Sequence, residues 1–208
     1  MKPVVKKHNS PGAEVVKVDL RRRVLEHVHP ARVLDAFCGP DGMMWDRVWR
    51  EAAHYVGIDK EWKPTDPRRR FVGDNAAILR SIDLGEFNVF DFDAFGSPWG
   101  AALILAGRRR WAPGERGALV LTDGASQRMK FGGQPKDMRV LTGIRSLEGL
   151  TPRQTTADAL QKLALQRWPE RAGVRVLHRW EARANGTQRG TGGGIVMLYA
   201  AMVFEGRP

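Results

Sequence analysis

Apolar and polar positions alternate along the chain in a way that predicts short strands separated by helices. Residues 33–37 are mostly apolar and lead into a glycine-containing turn at 39–42, as a buried parallel strand does where it ends in a loop. Residues 43–53 carry apolar side chains at helical spacing, and a second apolar run at 55–58 is closed by Asp59. Strand, glycine turn, helix, strand and acid together predict the nucleotide-binding half of a doubly wound α/β fold.

Three further strands and two helices are predicted between residues 70 and 125. The apolar runs that predict the strands are 71–72, 87–91 and 118–122. Asp74 is expected to cap a helix at 75–82, and Ser97 to cap a helix that begins with Pro98. Side-chain oxygens satisfy the free N–H groups of a helix N-terminus, and proline suits the first turn.

The last third of the chain predicts a helix followed by a β-hairpin. A capping box at 151–154 opens the helix, and Pro169 is expected to end it because proline cannot continue the hydrogen-bond ladder. Residues 174–183 alternate between apolar and charged side chains, which predicts an edge strand with one wet face. Residues 195–204 are almost continuously apolar, which predicts a strand buried on both faces.

The sequence predicts a polar arm at the beginning of the chain and one long polar loop. Residues 1–13 are predicted to be a basic, flexible arm and 14–208 a single domain, which starts with a short extended piece at 14–18. Asp19 is expected to cap a helix at 20–28 that points the arginines at 21–23 mostly outward. Residues 124–150 hold two adjacent glycines and a basic excess, and a loop of this length predicts a functional, substrate-binding segment.

The charge of the chain changes this picture by indicating a partner. The net charge is +11 over 208 residues, which favours a polyanion, most simply nucleic acid, although a solvated arginine-rich surface would give the same number. The single cysteine, Cys38, excludes an internal disulfide and fits a cytoplasmic location. No apolar run is long enough to predict a membrane span, and no Cys or His cluster has metal-ligand spacing.

The turn after the first strand resembles the first motif of the Rossmann-like S-adenosylmethionine-dependent methyltransferases. That motif is usually D-x-F-x-G-x-G, and this chain has Asp35, Phe37, Gly39 and then Gly42, with Asp41 at the place of the second glycine. The G-x-G-x-x-G pattern of dinucleotide-binding proteins is absent. Asp35 suits a cofactor that carries an ammonium and a sulfonium, whereas it would repel a diphosphate.

The resemblance implies a fold, a cofactor and a set of binding residues. The implied fold is the class I methyltransferase fold, a doubly wound, mostly parallel sheet of seven strands with an antiparallel C-terminal hairpin. The implied cofactor is S-adenosyl-L-methionine, with Asp59 on the ribose and Asp74 on the adenine amino group. The residues expected to bind it are Asp35, Phe37, Gly39, Asp41, Gly42, Asp59, Lys60, Asp74 and Asn75.

Residues 91–98 resemble a narrower pattern, Asp-x-Asp-Pro-Phe-Gly-Ser-Pro, of the tRNA guanine-N2 dimethyltransferases. Seven of the eight positions match, with Ala94 in place of proline. Thr122 and Asp123 also match that family's Thr-Asp after the fifth strand. The resemblance covers the catalytic domain alone, because the additional C-terminal domain of that family has no counterpart in this sequence.

The resemblance implies transfer of a methyl group to an exocyclic amine of a nucleobase, with guanine N2 in tRNA or other RNA as the expected target. Asp93 and the carbonyl of Ala94 would accept the N–H bonds of the amine, Phe95 would stack on the base, and Asp91 would share the role of Asp93. Two alternatives stay open. One is a methyltransferase of DNA, protein or small-molecule amines, and the other is a nucleic-acid-binding module with a decayed site. The oligomeric state is open.

Overall fold

The computed structural model describes residues 11–61, 66–94, 96–124, 129, 133–144, 154–185 and 196–208. The helices are α1 (Pro11–His27), α2 (Met43–Arg47), α3 (Asn75–Ser81), α4 (Trp99–Arg108), α5 (Lys136–Thr142) and α6 (Gln154–Ala172). The strands are β1 (Arg32–Asp35), β2 (His54–Asp59), β3 (Arg70–Val72), β4 (Val89–Asp93), β5 (Arg116–Asp123), β6 (Val174–Asn185) and β7 (Val196–Gly206). Short 3₁₀ turns cover Trp49–Glu51 and Leu84–Glu86.

The strands form one seven-stranded sheet in the order β3-β2-β1-β4-β5-β7-β6. Strands β1 to β5 pair in parallel, while β7 is antiparallel to both β5 and β6. The predicted doubly wound sheet with an inserted antiparallel last strand is therefore confirmed. The strand order reverses direction between β1 and β4, and ligands of open α/β sheets bind at the carboxyl ends of the strands beside such a reversal.

Helices cover both faces of the sheet. The side chains of α3, α4, α5 and α6 pack with Phe90 and Phe92 of β4 in one cluster of buried residues. The side chains of α1 and α2 form a second cluster on the opposite face, together with Trp49 and Val89. Because successive side chains of a strand point to opposite faces, Asp91 and Asp93 of β4 lie on the face that α1 covers.

Helix α1 corrects three expectations for the start of the chain. The helix begins at Pro11, so residues 11–13 are helical, and the segment at 14–18 is helical where an extended piece was expected. The remainder of the predicted arm, residues 1–10, lies outside the described residues. Arg21 is 1% exposed, so the expectation that it points outward is wrong. A proline in the first turn suits the observed start, and the buried face of the helix includes Lys17 and Arg21 among its apolar residues.

The segment around the fourth strand also differs from the prediction. Strand β4 extends to Asp93, so Asp91 and Asp93 both belong to the strand. Pro98, not Ser97, occupies the N-cap of α4 without a side-chain bond, and the Ser97 hydroxyl is buried with no hydrogen-bond partner in the described part of the chain. The cap of α3 is as predicted, since the Asp74 carboxylate accepts a hydrogen bond from the Ala77 N–H at 3.0 Å.

The C-terminal third contains two further corrections. Helix α5 lies within the segment expected to be a loop at 124–150, and the rest of that segment is mostly outside the described residues. Helix α6 continues through Pro169 to Ala172, held by the fully buried Trp168, whose indole N–H donates to the Ala102 carbonyl at 2.8 Å. Strand β6 is the edge strand, as predicted, with a bulge between Val176 and His178.

Candidate active site at the carboxyl ends of the strands

The turn after β1 is shaped by two glycines in the left-handed region. Gly39 has φ of 64° and Gly42 has φ of 63°, a conformation that costs other L-residues about 1–2 kcal/mol. The Gly39 N–H donates to the Asp59 carboxylate at 3.0 Å, and the other carboxylate oxygen of Asp59 accepts from the Glu61 N–H at 2.9 Å. These two bonds hold the glycine turn of β1 beside the end of β2.

Arg68, which precedes β3, stabilises the same turn by hydrogen bonds. Its guanidinium donates to the carbonyls of Cys38 at 3.3 Å and Gly39 at 3.1 Å. Asp66 accepts from this guanidinium, and Arg68 lowers the pKa of Asp66 to about 2. A Cβ atom added to Gly42 would lie 2.6 Å from Cζ of Arg68. The displaced second glycine of the sequence motif therefore has a steric reason, because Gly42 makes room for Arg68.

Asp35 ends β1 as a buried carboxylate that is already held by protein groups. It is 2% exposed and accepts from the Tyr55 hydroxyl at 3.1 Å and from the Phe37 N–H at 3.2 Å. Burial, together with the nearby charge of Asp91, raises the pKa of Asp35 well above its ordinary value, and Arg21 acts against this shift. Asp35 is therefore a buried group at the carboxyl end of β1, next to the central strand β4.

The ends of β2 and β3 bring four of the expected binding residues together. The Gly73 N–H donates to the Asp59 carbonyl at 3.0 Å, and the Lys60 ammonium lies 3.4 Å from the Asp74 carboxylate. Asn75 follows Asp74 at the start of α3, and its side-chain oxygen is buried with no hydrogen-bond partner among the residues described. This unpartnered acceptor and the neighbouring carboxylates fit a ligand that carries hydroxyl and amino groups, as a nucleoside does.

Asp91 lies at the buried end of the site, and protein groups bind both of its carboxylate oxygens. It is 0% exposed and accepts two bonds of 2.6 Å from the Arg21 guanidinium and one of 2.7 Å from the Trp49 indole N–H. Burial raises the pKa of Asp91, while the Arg21 charge and hydrogen bonds lower it. The bidentate geometry is the strong form of an arginine–carboxylate pair, so Asp91 connects β4 to α1.

Asp93 is one pleat further along β4 and lies closer to solvent. Its Oδ2 atom is 2.8 Å from the Lys17 ammonium and 3.6 Å from Nη2 of Arg21, and its side chain is 13% exposed. Burial opposes ionisation, but Lys17 and Arg21 outweigh it and hold the pKa of Asp93 below its ordinary value. The strand therefore presents an ionised carboxylate at its carboxyl end, directly before the buried Ala94.

Three residues of this site were missed by sequence reasoning, namely Lys17, Arg21 and Arg68. All three are largely buried, although the sequence places two of them in arginine triplets that read as surface charge. The spacing of Lys17 and Arg21, four residues apart on the face that also holds Leu20 and Val24, is the signal that was available. The prediction of an extended piece at 14–18 concealed this helical spacing.

One expected site residue and two basic residues of the 124–150 segment lie outside the described part of the chain, and the single cysteine is unreactive. Phe95 and the basic residues Arg128 and Lys130 lie outside the described residues. Cys38 is buried, and burial raises the pKa of its thiol to about 12, so it stays protonated. In the described part of the chain no helix combines the length and apolar character of a membrane span, and no group of three or more His, Cys, Asp or Glu side chains is arranged to hold a metal ion.

Comparison with known proteins gives similarity in structure without similarity in sequence. No protein-family model matches the chain, and no curated protein does. Among solved structures, M. jannaschii TYW2 in complex with AdoMet is 10% identical with a TM-score of 0.50, over 91% of this chain and 76% of that one. A proposed hemolysin from Streptococcus thermophilus is 15% identical with a TM-score of 0.57, over 100% of this chain and 70% of that one.

A third solved structure is Trm1 from Pyrococcus horikoshii with S-adenosyl-L-methionine. It is 13% identical with a TM-score of 0.49, over 93% of this chain and 55% of that one, so this chain spans about half of its length. At such identities the comparisons describe the fold alone. By its strand order and by the likeness to TYW2, the chain has the Rossmann-like fold of the class I S-adenosylmethionine-dependent methyltransferases.

Proposed function

We propose that this protein is an S-adenosylmethionine-dependent N-methyltransferase that acts on an exocyclic amine of a nucleobase, guanine N2 in tRNA or other RNA. The observation that carries the proposal is the ionised Asp93 at the carboxyl end of β4. Strand β4 is the direct neighbour of β1, whose glycine turn is the place for the cofactor. An acceptor held by Asp93 would therefore lie beside the cofactor.

The cofactor would lie across the ends of β1, β2 and β3. When bound, it supplies an electrophilic methyl group. Gly39, Asp41 and Gly42 would line it with backbone groups, Phe37 and Asp35 would lie beneath its methionine part, and Asp59 would accept from the ribose hydroxyls. Asp74 and Asn75 would contact the adenine, with Lys60 holding Asp74 at 3.4 Å.

The acceptor amine needs help because its lone pair is delocalised into the aromatic ring. A carboxylate and a carbonyl that accept both N–H bonds localise the lone pair on nitrogen and hold it in line with the methyl group. Asp93 and the carbonyl of Ala94 have these roles in the proposal, and Phe95 would stack on the base. Asp91 has a positioning role, since its oxygens accept bonds from Arg21 and Trp49.

RNA as the substrate is supported by charge and by the sequence pattern at 91–98. A net charge of +11 favours a polyanion over a small amine. The pattern resembles that of the tRNA guanine-N2 dimethyltransferases at seven of eight positions. A direct test is incubation with total RNA and isotope-labelled cofactor, followed by mass spectrometry of the nucleosides. Labelled N2-methylguanosine is expected, and label confined to DNA, protein or another nucleoside would overturn the assignment.

Substitution of Asp93 tests the catalytic assignment. Asp93→Ala should leave cofactor binding in calorimetry unchanged while the single-turnover rate of methyl transfer falls about 10²–10⁴-fold, the range of a positioned catalytic group. Asp93→Asn should be almost as slow, because an amide oxygen is a weaker acceptor and its NH₂ group opposes the donors of the substrate.

The matched control is Asp19→Ala, which removes an exposed carboxylate from the outer face of α1 and should transfer at the wild-type rate. Full activity of Asp93→Ala toward every acceptor that the wild type methylates would place the catalytic acid elsewhere.

A further inference from the structure

Lys17 is a buried cation in the candidate active site. Its side chain is 7% exposed, and its ammonium lies 2.8 Å from Oδ2 of Asp93. Lysine is rarely buried to this degree unless a partner neutralises it. The helix that carries it, α1, packs on the face of the sheet that holds the carboxylates of the site.

The charged and polar groups that face Asp93 come from five elements. They are Lys17 and Arg21 of α1, Asp91 of β4 itself, Asp35 of β1, the Thr122 side chain of β5 and the Tyr199 hydroxyl of β7. Arg21 gives its two shortest bonds to Asp91 at 2.6 Å and is 3.6 Å from Asp93. Lys17 is therefore the closer and stronger cationic partner of Asp93, because Coulomb attraction increases as the separation decreases.

The two cations near Asp93 contact a single carboxylate oxygen. Both cations approach the same oxygen, Oδ2, and fixing this oxygen fixes the orientation of the carboxylate plane. We propose that Lys17 is a positioning residue of the methyl transfer, which holds Asp93 by its Oδ2 atom and so orients the carboxylate toward the N–H of the acceptor amine. This inference rests on the proposed function and adds α1 to the active site.

The pairing itself is tested without any RNA, by ¹³C NMR titration of the aspartate carboxyls in the full chain. The Asp93 resonance is identified by its loss in Asp93→Asn. In Lys17→Met the pKa of Asp93 should rise, because the attraction that opposes burial is removed. Lys17→Arg should restore it, and Lys17→Gln is the second neutral variant if methionine does not fit the site.

The control is Arg22→Met, which removes a charge from the same helix but at an exposed position. An Asp93 titration in Lys17→Met and Lys17→Gln that matches the wild type, or an equal shift in Arg22→Met, would overturn the inference.

The pH dependence of transfer tests the catalytic part. With saturating cofactor and transcribed tRNA, the single-turnover rate of Lys17→Met should fall about 10-fold or more near pH 6 relative to its rate near pH 9. The reactive form of Asp93 is the carboxylate. When the pKa of Asp93 is raised, the carboxylate is protonated at a higher pH, so the rate falls on the acidic side. An unchanged profile in Lys17→Met would remove Lys17 from the mechanism.

If the wild type transfers no methyl group to RNA while the NMR shift is present, the proposed function fails and the Lys17–Asp93 pairing stands.

Discussion

At the scale of single residues, the glycine turn after β1 is determined by what touches it. Gly39 and Gly42 have almost the same left-handed φ, but their surroundings differ. A Cβ atom on Gly39 would meet nothing within 4 Å, whereas on Gly42 it would meet the Arg68 guanidinium at 2.6 Å. Gly42 is therefore required both by backbone conformation and by the approach of Arg68.

A pair of alanine substitutions separates these two requirements. Gly39→Ala should destabilise the fold by about 1–2 kcal/mol, the cost of a left-handed L-residue. Gly42→Ala should cost about 1–3 kcal/mol more, because Arg68 must leave its position against the loop carbonyls. Urea unfolding measures both free energies. In an Arg68→Ala background the difference between the two variants should disappear, and a difference that persists would contradict the steric explanation.

At the scale of elements, α1 is fastened to β4 by a buried ion pair. Arg21 is 1% exposed and Asp91 0% exposed, and two bonds of 2.6 Å join them. Breaking one partner of such a pair leaves an uncompensated buried charge, which is far more costly than replacing both partners. Asp93 lies two residues beyond Asp91 on the same strand, so the docking of α1 also sets the surroundings of the candidate catalytic acid.

Arg21→Met should therefore lower the free energy of unfolding by about 3–5 kcal/mol, measured by urea denaturation. The control Arg22→Met removes an exposed arginine next to it and should change the free energy by less than about 0.5 kcal/mol. In the double variant Arg21→Met with Asp91→Leu, much of the lost stability should return, since no unpaired charge remains. Equal stability of Arg21→Met and Arg22→Met would show that the pair does not hold α1.

At the scale of the whole molecule, the arginine triplets are divided between interior and surface. At least one arginine of each triplet, namely Arg21, Arg68 or Arg109, is at most 8% exposed, and each has a carboxylate partner in Asp91, Asp66 or Glu115. The Arg70 side chain is also 3% exposed and shares Asp66 with Arg68. The three pairs Arg21–Asp91, Arg68–Asp66 and Arg109–Glu115 contribute no net charge. The net charge of +11 is therefore carried by the remainder of the chain, where it is available to a polyanion.

Binding of transcribed tRNA should consequently weaken steeply with salt. Each phosphate neutralised releases counterions, so the affinity should fall about 10²-fold or more between about 50 and 200 mM salt, as measured by fluorescence anisotropy. Cofactor binding, measured by calorimetry over the same range, is the internal control and should change little. An RNA affinity that is flat with salt would show that the positive charge is only a solvated surface.

The sequence by itself determined the class of fold and the position of most of its strands along the chain. Apolar runs, glycine turns and the final hairpin are local signals, and β1, β2 and β5 lie close to where the pattern predicts them. The common location of the acids at 35, 59 and 74 was also predictable from the sequence, because each follows a strand and the carboxyl ends of parallel strands meet at one edge of the sheet. The cap of α3 by Asp74 is another local interaction, and it was predicted correctly.

The tertiary structure decided which charges are inside and what they pair with. Lys17, Arg21 and Arg68 contact residues 76, 70 and 29–30 positions away, and no local pattern encodes such partners. A buried arginine and a surface arginine look alike in sequence, since burial depends on groups that distant parts of the chain supply, such as Asp91 for Arg21 and the Cys38 and Gly39 carbonyls for Arg68. For the same physical reason, the sequence placed Asp91 and Asp93 together but did not distinguish them. The packing of α1 gives Asp91 a full set of hydrogen bonds and leaves the Asp93 carboxylate closer to solvent.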